Sequence, residues 1–325
     1  MDAAAQAGGE GHAGFTPVRA CWVCGSAELA PVHTAIFELS EYARQDPGLA
    51  RYTGATVRLV RCRRCGFGQP EALPALERFF ERMYDQRWSA EWTEAEFRDG
   101  TKDLIFHTVL RDLARRVPSA RRTLLDVGAH VGRLLHLAAA AGWRPEGVEL
   151  NERTASYAVR ATGLPVHRCG LRELEAGGRR YGAVTLVDVL EHIPEPIAAL
   201  RAAAALLEPG GWLVVKVPEG PAQLRKERVR GRVRRGYRPT VADNLVHVNH
   251  FTAGSLRMAL EGGGLTAVRI SPAPPVLPPR GTPWLRRAAA EALPRALYHA
   301  ARLLPAGERT PLTLHLLAYA QRPAE

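Results

Sequence analysis

The chain has 325 residues, enough for a sizeable core and more than one domain, and its hydrophobic share of 46% is ordinary for a globular protein. Its longest apolar runs, such as LVDVL and WLVVKV, fall far short of the ~20 residues that a membrane-spanning helix needs, which excludes a helical membrane protein. Net charge is +11, but residues 225–238, RKERVRGRVRRGYR, carry eight basic residues and one acidic residue, so +7 lies there and +4 on the rest.

The first residues, MDAAAQAGGEGHAG, have no basic start and no apolar core, so they do not read as a signal peptide, and residues 1–16 are expected to form a disordered tail. Without an export signal the expected compartment is the cytoplasm, where thiols stay reduced. Residues 17–70 hold Cys21-x-x-Cys24-Gly and Cys62-x-x-Cys65-Gly. Each knuckle turns two thiolates toward one ion, and glycine permits the tight turn after it. Two knuckles complete a four-sulfur shell, the closed structural geometry of zinc. Disulfides or free thiols are the alternative, disfavoured in a reducing compartment. A catalytic metal is disfavoured too, because four thiolates leave no open position. Cys169 stands alone and reads as a small buried residue.

Residues 71–118 read as a helical linker or lid. LPALERFFERMYDQRW is followed by DLIFHTVLRDLARRV, where Phe106, Leu110, Leu113 and Val117 recur at helical spacing, and Pro118 stops the helix. From Thr123 strands and helices alternate: TLLDVG, then VGRLLHLAAAAG; RPEGVEL, then NERTASYAVRAT; LPVHRC; GAVTLVDVL, then PEPIAALRAAAALL; and GWLVVKV. Solid apolar strands in such alternation mean a mostly parallel sheet covered on both faces. The α/β unit is expected over 119–325, with insertions at 218–250 and 272–310. FTAGSLRMALEGGG, LTAVRIS, a long helix from Trp284 and a final strand LTLHLLAYAQRP complete it. The helix from Trp284 is expected to pack over a substrate pocket or to face a membrane, with Pro294 kinking it.

The turn after the first of these strands is Asp126-x-Gly128-x-x-x-Gly132. His130 stands where a dinucleotide fold needs its second glycine to admit a pyrophosphate. A cofactor without phosphates has no such demand. A sulfonium cofactor needs backbone close to its methionine part, which Gly128 allows, and a carboxylate on its ribose, which Glu149 at the end of the next strand supplies. The stretches LLDVGAHVG, GVELN, LVDVLEHIPEP, LEPGGWLVVKVP and FTAGSL resemble those of the class I S-adenosylmethionine-dependent methyltransferases, over about the last two-thirds of the chain. The resemblance implies a Rossmann-like α/β fold with a seven-stranded, mostly parallel sheet whose last strand is antiparallel, here with a small zinc-ribbon-like module before it. It also implies cofactor contacts from Asp126, Gly128, Ala129, Gly132, Glu149 and Asp188, with Leu150, Gly170 and Leu171 around the adenine. Tyr84 is similar to a tyrosine with which related enzymes cover the cofactor.

Asp188, Glu191 and His192 fall at the carboxyl end of the fourth strand, where open α/β sheets bind ligands. His192 reads either as a general base or as a helix cap. NLVHVNHFTAGSL, with His247 and His250, is similar to the His-containing segment of bacterial sugar C-methyltransferases that also carry a four-cysteine module. In those a Glu-His pair is the base, whereas Val246 and Asn249 precede the histidines here. The basic stretch is open to four readings: a phosphate-bearing substrate, RNA, an anionic membrane surface or a solvated lid. The expected function is methyl transfer from S-adenosylmethionine to a small molecule such as a sugar, a nucleotide-linked sugar or a specialised metabolite, with a His base. The alternatives are an RNA methyltransferase and a non-catalytic zinc-containing scaffold.

Overall fold

A computed structural model of the chain describes residues 14–324, apart from 43, 45, 86–89 and 234–246 and the side chains of 41, 81, 84, 85, 90 and 231. Near the amino terminus, β1 (Phe15–Pro17) pairs antiparallel with β5 (Ala72–Pro74), while β2 (Leu29–Ile36), β3 (Thr56–Cys62) and β4 (Gly68–Pro70) form a three-stranded antiparallel sheet. Short helices α1 (Pro47–Ala50) and α2 (Phe79–Asp85) close a small aromatic core of Phe37, Tyr52 and Phe79. Helices α3 (Ala90–Asp99) and α4 (Asp103–Ala114) lead into the main sheet.

That sheet has seven strands: β6 (Thr123–Val127), β7 (Arg144–Val148), β8 (Val166–His167), β9 (Tyr181–Val187), β10 (Leu207–Pro218), β11 (Thr266–Pro272) and β12 (His315–Gln321). Their order is β11-β12-β10-β9-β6-β7-β8, parallel except for β12, which runs antiparallel to both β10 and β11. The chain winds outward from β6 through β7 to β8, then returns to β9 on the other side of β6. Strand order therefore reverses between β6 and β9, which opens a crevice at their carboxyl ends. Both faces are covered, by alternation along each strand. In β9, Val184 and Leu186 enter one core while Ala183 and Val187 enter the other. The second core takes Ile105, Phe106, Val109, Leu110 and Leu113 of α4, the apolar stripe visible in the sequence. Around the sheet lie α5 (Arg133–Ala140), α6 (Glu152–Thr162), α7 (Leu171–Ala176), α8 (Pro196–Ala205), α9 (Gly220–Val233) and two further helices, Ala253–Gly262 and Trp284–Leu303.

Three expectations change. Phe15 and Thr16, placed in the tail, belong to β1 because β5 offers them ladder hydrogen bonds; residues 1–13 and the side chain of Tyr84 lie outside the described residues. The 71–118 segment is not all helical, since Ala72–Pro74 is that partner strand. The helix Trp284–Leu303 keeps Pro294 inside it but buries only Ala301, and Trp284, Leu285, Leu293 and Leu303 are exposed, so it does not roof a pocket. Among the described residues no helix is long and apolar enough to cross a membrane.

The cysteine knuckles are packed into the main core rather than tethered beside it. Cys21, Val23, Cys62 and Phe67 share one apolar cluster with Leu186, Leu190 and Phe251. The rings of Phe67 and Phe251 stand 5.0 Å apart, and next to them Gly68 and His250 exchange two backbone hydrogen bonds of 2.9 Å. Losing a buried phenyl ring costs about 3–5 kcal/mol through lost transfer energy and the cavity left behind. Phe67→Ala is therefore expected to lower the unfolding free energy of the whole chain by that amount in urea titrations, within a single transition. A separate early transition for the amino-terminal part, with the rest unshifted, would show that the two do not share a core.

Candidate functional site

The turn after β6 is built from backbone that few residues tolerate. Gly128 has φ +71°, and a Cβ there would stand 2.4 Å from a methyl carbon of Val189. Its amide and that of Ala129 donate to the Val148 carbonyl at 2.8 and 2.9 Å, folding the loop back onto the end of β7. Gly132, at φ +79°, starts α5, and a Cβ there would come within 3.0 Å of Ala158. Between them His130 takes φ +52°, a conformation costly for a residue with a side chain. The Glu149 carboxylate holds it there, accepting the His130 amide at 2.8 Å on one oxygen and the Asn151 amide at 2.9 Å on the other. The His130 ring lies edge-on to Trp92 of α3, with centroids 5.0 Å apart. Burial, with Lys102 adding to it, pushes the imidazole down to about 3, so it is neutral.

Asp126 is buried one strand turn before this loop and accepts a 2.7 Å hydrogen bond from the Thr185 hydroxyl. A small cavity of about 40 Å³ opens among Asp126, Gly128, Ala129, His130, Lys102 and Arg133. Its far wall is Glu96, Gly100 and Thr101, from the connection between α3 and α4. On the other side, the pairing of β7 with β8 brings the segments after both strands to one edge. Leu150 is 45% exposed there, and Gly170 caps α7, which begins at Leu171.

Asp188 follows β9 with φ +58°. Lys102 reaches it from the start of α4 at 2.8 Å, and the deeply buried Lys216 of β10 pairs with its other oxygen. Burial alone would raise the Asp188 pKa, but the two ammonium groups hold it well below the usual carboxylate range. Neither lysine was singled out from the sequence. Lys216 had a signal, being one cation inside the apolar strand WLVVKV, whereas Lys102 had none.

One turn further on, Glu191, His192 and His247 converge, their candidate ligand atoms all within 4.8 Å of one another. The two imidazoles meet edge to face with centroids 4.7 Å apart. Glu191 is 1% exposed, and among the described residues neither of its carboxyl oxygens has a hydrogen-bond partner. Burial, with the charge of Asp188 adding to it, pushes this carboxyl up to about 8. His247 is shifted well below its ordinary value, first by burial and then by His192 and His250, so it is neutral. Gln223 of α9 contacts the Nδ1 of His247 at 2.5 Å. Asn249 clamps the segment, donating to the carbonyls of Leu190 and Ile193 at 2.7 Å. The third histidine, His250, is 2% exposed, is bridged through its backbone to Gly68 and is not one of the three residues whose ligand atoms converge.

The four cysteines meet as the knuckles suggested. Sγ of Cys21 lies 3.5 Å from that of Cys65, Cys24 stands likewise to Cys62, and all four sulfurs are within 4.8 Å of one another. Sulfurs bound tetrahedrally at about 2.3 Å from zinc stand about 3.8 Å apart, so the set fits such an ion. Of the basic stretch 225–238, residues 234–238 lie outside the described residues. Its described part is helical, and some of its charge is used internally: Arg230 pairs with the buried Glu227, and Arg225 donates to the Pro311 carbonyl. Arg225, Arg228 and Arg61 line a cleft of about 230 Å³ between α9 and the knuckles.

A family model described as "Methyltransferase domain" matches residues 97–270. The ubiquinone biosynthesis O-methyltransferase of Bordetella avium is 36% identical over 102 residues, which is 28% of this chain and 41% of that protein. Its namesake from Thiobacillus denitrificans is 32% identical over 114 residues, 32% of this chain and 47% of that protein. The chain thus spans less than half the length of these curated relatives. A chain from the complex between the Haloferax volcanii Trm112 methyltransferase activator and a candidate methyltransferase shares the fold. The TM-score is 0.50 at 16% identity, over 72% of this chain and 96% of that one.

Asp126 makes the site sensitive to pH. Burial raises its pKa from 3.8 to about 7, although Thr185 and Lys102 pull the other way. A carboxyl held above its unfolded value binds its proton more tightly in the folded state. Its contribution to stability is thus fully present below about pH 4 and lost as pH rises through about 7. Between these limits wild-type protein is expected to lose more urea stability than Asp126→Asn. Parallel stability curves for the two proteins would contradict this.

Proposed function

The chain belongs to the methyltransferase-domain family, and on that premise we propose that it moves a methyl group from S-adenosylmethionine to a hydroxyl of a small-molecule acceptor. The observation that carries this reading is the juxtaposition at the ends of β6, β7 and β9. A glycine turn and a fixed carboxylate lie on one side, and the Glu191–His192–His247 cluster lies on the other. The cofactor's demands fit these residues. His130 fills the place beside the turn with its ring packed against Trp92, which leaves no approach for a pyrophosphate but does not obstruct an amino-acid tail. Glu149 is anchored by two amides and, as a carboxylate with about four acceptor sites, keeps capacity for the ribose hydroxyls. Gly128, Ala129, Gly132 and Asp126 would bound the methionine part, with Lys102 beside them as a cation for its carboxylate. Leu150, Gly170 and Leu171 would flank the adenine. Asp188 acts through the two lysines that it positions.

When bound, S-adenosylmethionine supplies a methyl carbon on a positively charged sulfur, open to displacement in line. The chain's part is to exclude water, align the acceptor and take its proton. With an acceptor hydroxyl aligned on that methyl carbon, the His192–His247 pair would take the hydroxyl proton as the methyl group is transferred. His250 has no part in this reading. O-methylation is supported by the names of the curated relatives, and a phosphate-bearing acceptor by the arginine-lined cleft next to α9. The RNA and scaffold readings gain no observation of their own.

Calorimetric titration tests the cofactor claim. Wild-type protein is expected to bind one equivalent of S-adenosylmethionine, and Glu149→Ala to bind it at least about tenfold more weakly, the loss of a charge-assisted hydrogen bond worth ~1.5–3 kcal/mol. No binding to wild type at millimolar cofactor would remove the reading.

We also infer that the four cysteines hold a structural zinc ion. Elemental analysis of purified protein is expected to find one zinc per chain, lost in Cys62→Ser together with thermal stability, because binding energy here is folding energy. A zinc-free wild-type protein with the same melting temperature after chelation would contradict it.

A further inference from the structure

The Glu191 carboxyl poses a problem that the reading above leaves unsolved. It is 1% exposed and, among the described residues, neither oxygen has a hydrogen-bond partner. An ionised carboxylate in that position forgoes several kcal/mol of solvation with nothing in return. A protonated one escapes that cost, yet among the described residues its hydroxyl has no acceptor within hydrogen-bond distance. Both states leave a buried polar group orphaned. Next to it stand two imidazole rings, those of His192 and His247, with ligand atoms of all three residues inside a 4.8 Å span.

We propose that Glu191, His192 and His247 form a second metal site, which takes a divalent first-row transition-metal cation between two imidazole nitrogens and one carboxylate. The proposal rests on the reading of this cluster as the acceptor side of the methyl-transfer site, and it states what the cluster holds. A cation supplies the missing partner of Glu191 and relieves its burial as an unpaired charge. Ligand atoms about 2.1 Å from an ion stand about 3–3.5 Å apart, so side-chain rotations of about an ångström close this set on one. The four cysteines need adjustments of similar size.

Gln223 and His247 carry the second argument. Their 2.5 Å contact runs from the amide nitrogen to Nδ1, while the Gln223 oxygen is buried without a partner among the described residues. Amide nitrogen and oxygen are interchangeable by a half-turn of the group. After that half-turn the oxygen accepts the Nδ1 proton of His247, the amide nitrogen takes the oxygen's former place, and Nε2 is left with a free lone pair. A hydrogen-bonded Nδ1–H with a bare Nε2 is the tautomer that metal-binding histidines use. Gln223 is thus a positioning residue for His247.

Donor chemistry separates the two sites. Four thiolates are soft and closed, suited to zinc with no room for another ligand. Two imidazoles and a carboxylate suit zinc, iron, nickel or manganese, and three protein ligands leave coordination positions for water or an acceptor oxygen. An acceptor hydroxyl on such a cation would lose its proton to solvent water near neutral pH, so the cation's acidity would stand in place of proton transfer to the two histidines.

The test uses full-length protein whose cysteine site already holds its zinc. Mn²⁺ is the probe, because thiolates bind it poorly and its paramagnetic resonance signal falls when it is bound. Wild type is expected to bind one equivalent of Mn²⁺, while Glu191→Gln and His247→Ala each weaken that binding at least tenfold and leave the zinc content at one per chain. Gln223→Leu should weaken it less, and Gln223→Glu should preserve it. Circular dichroism and retained zinc identify any variant that fails to fold, in which case His192→Asn takes its place. Wild type that leaves the Mn²⁺ signal unchanged at millimolar metal overturns the proposal, as does binding that survives both Glu191→Gln and His247→Ala. S-adenosylmethionine affinity measured on the same samples keeps the two claims apart: wild type that binds the cofactor but not Mn²⁺ fails this proposal alone.

Discussion

Asp188 is a buried carboxylate in left-handed backbone, held by ammonium groups from two different parts of the chain. A non-glycine residue at positive φ costs about 1–3 kcal/mol, while removing one partner from a buried ion pair costs about 3–5 kcal/mol. The ion pairs outweigh the strain, so the backbone stays bent where β9 ends. After that bend Glu191 and His192 lie beside His247. Lys216 ties it to the neighbouring strand, and Lys102 ties it to the helical segment that walls the cavity beside Asp126 and Gly128. One carboxylate thus couples the sheet to the segment between α3 and α4 and lies next to the Glu191–His192–His247 cluster.

The remaining architecture supplies edges for this point to work against. Reversal of strand order between β6 and β9 opens the crevice, and Glu149 fixes the turn after β6 by its two amide contacts. The His segment at 247–250 returns over the same edge, clamped by Asn249 on one side and by the Gly68 bridge on the other. Through that bridge and the contact of Phe67 with Phe251, the cysteine knuckles brace the segment that bears His247. This gives the amino-terminal module a physical link to the site, although none of its cysteines is in the cluster.

Most of the sheet was legible because period and punctuation agree there. TLLDV, GAVTLV and WLVVKV are apolar on both faces, and glycines or capping residues separate them from helices. The turn after β6 was legible because left-handed backbone between a strand and a helix demands glycine, as at Gly128 and Gly132. Other features depend on distant pairing and had no local trace. Residues 72–74 became a strand only because Phe15–Pro17 lies beside them, and Lys102 acts on an aspartate far along the chain. The grouping of Glu191 with His192 and His247, to the exclusion of His250, is set by where two loops cross. Spacing alone could not rank His247 above His250, since both precede the same helix.

The central claim is that one crevice holds a sulfonium cofactor on its β6–β7 side and a divalent cation on its β9 side. Nuclear magnetic resonance of S-adenosylmethionine carrying a ¹³C-labelled methyl group, bound to the zinc-loaded protein, tests this most directly. Adding one equivalent of Mn²⁺ is expected to broaden the methyl resonance beyond detection in wild type and to leave it sharp in His247→Ala. A methyl signal that stays sharp with both ligands bound to wild type would place them in separate sites and contradict the account.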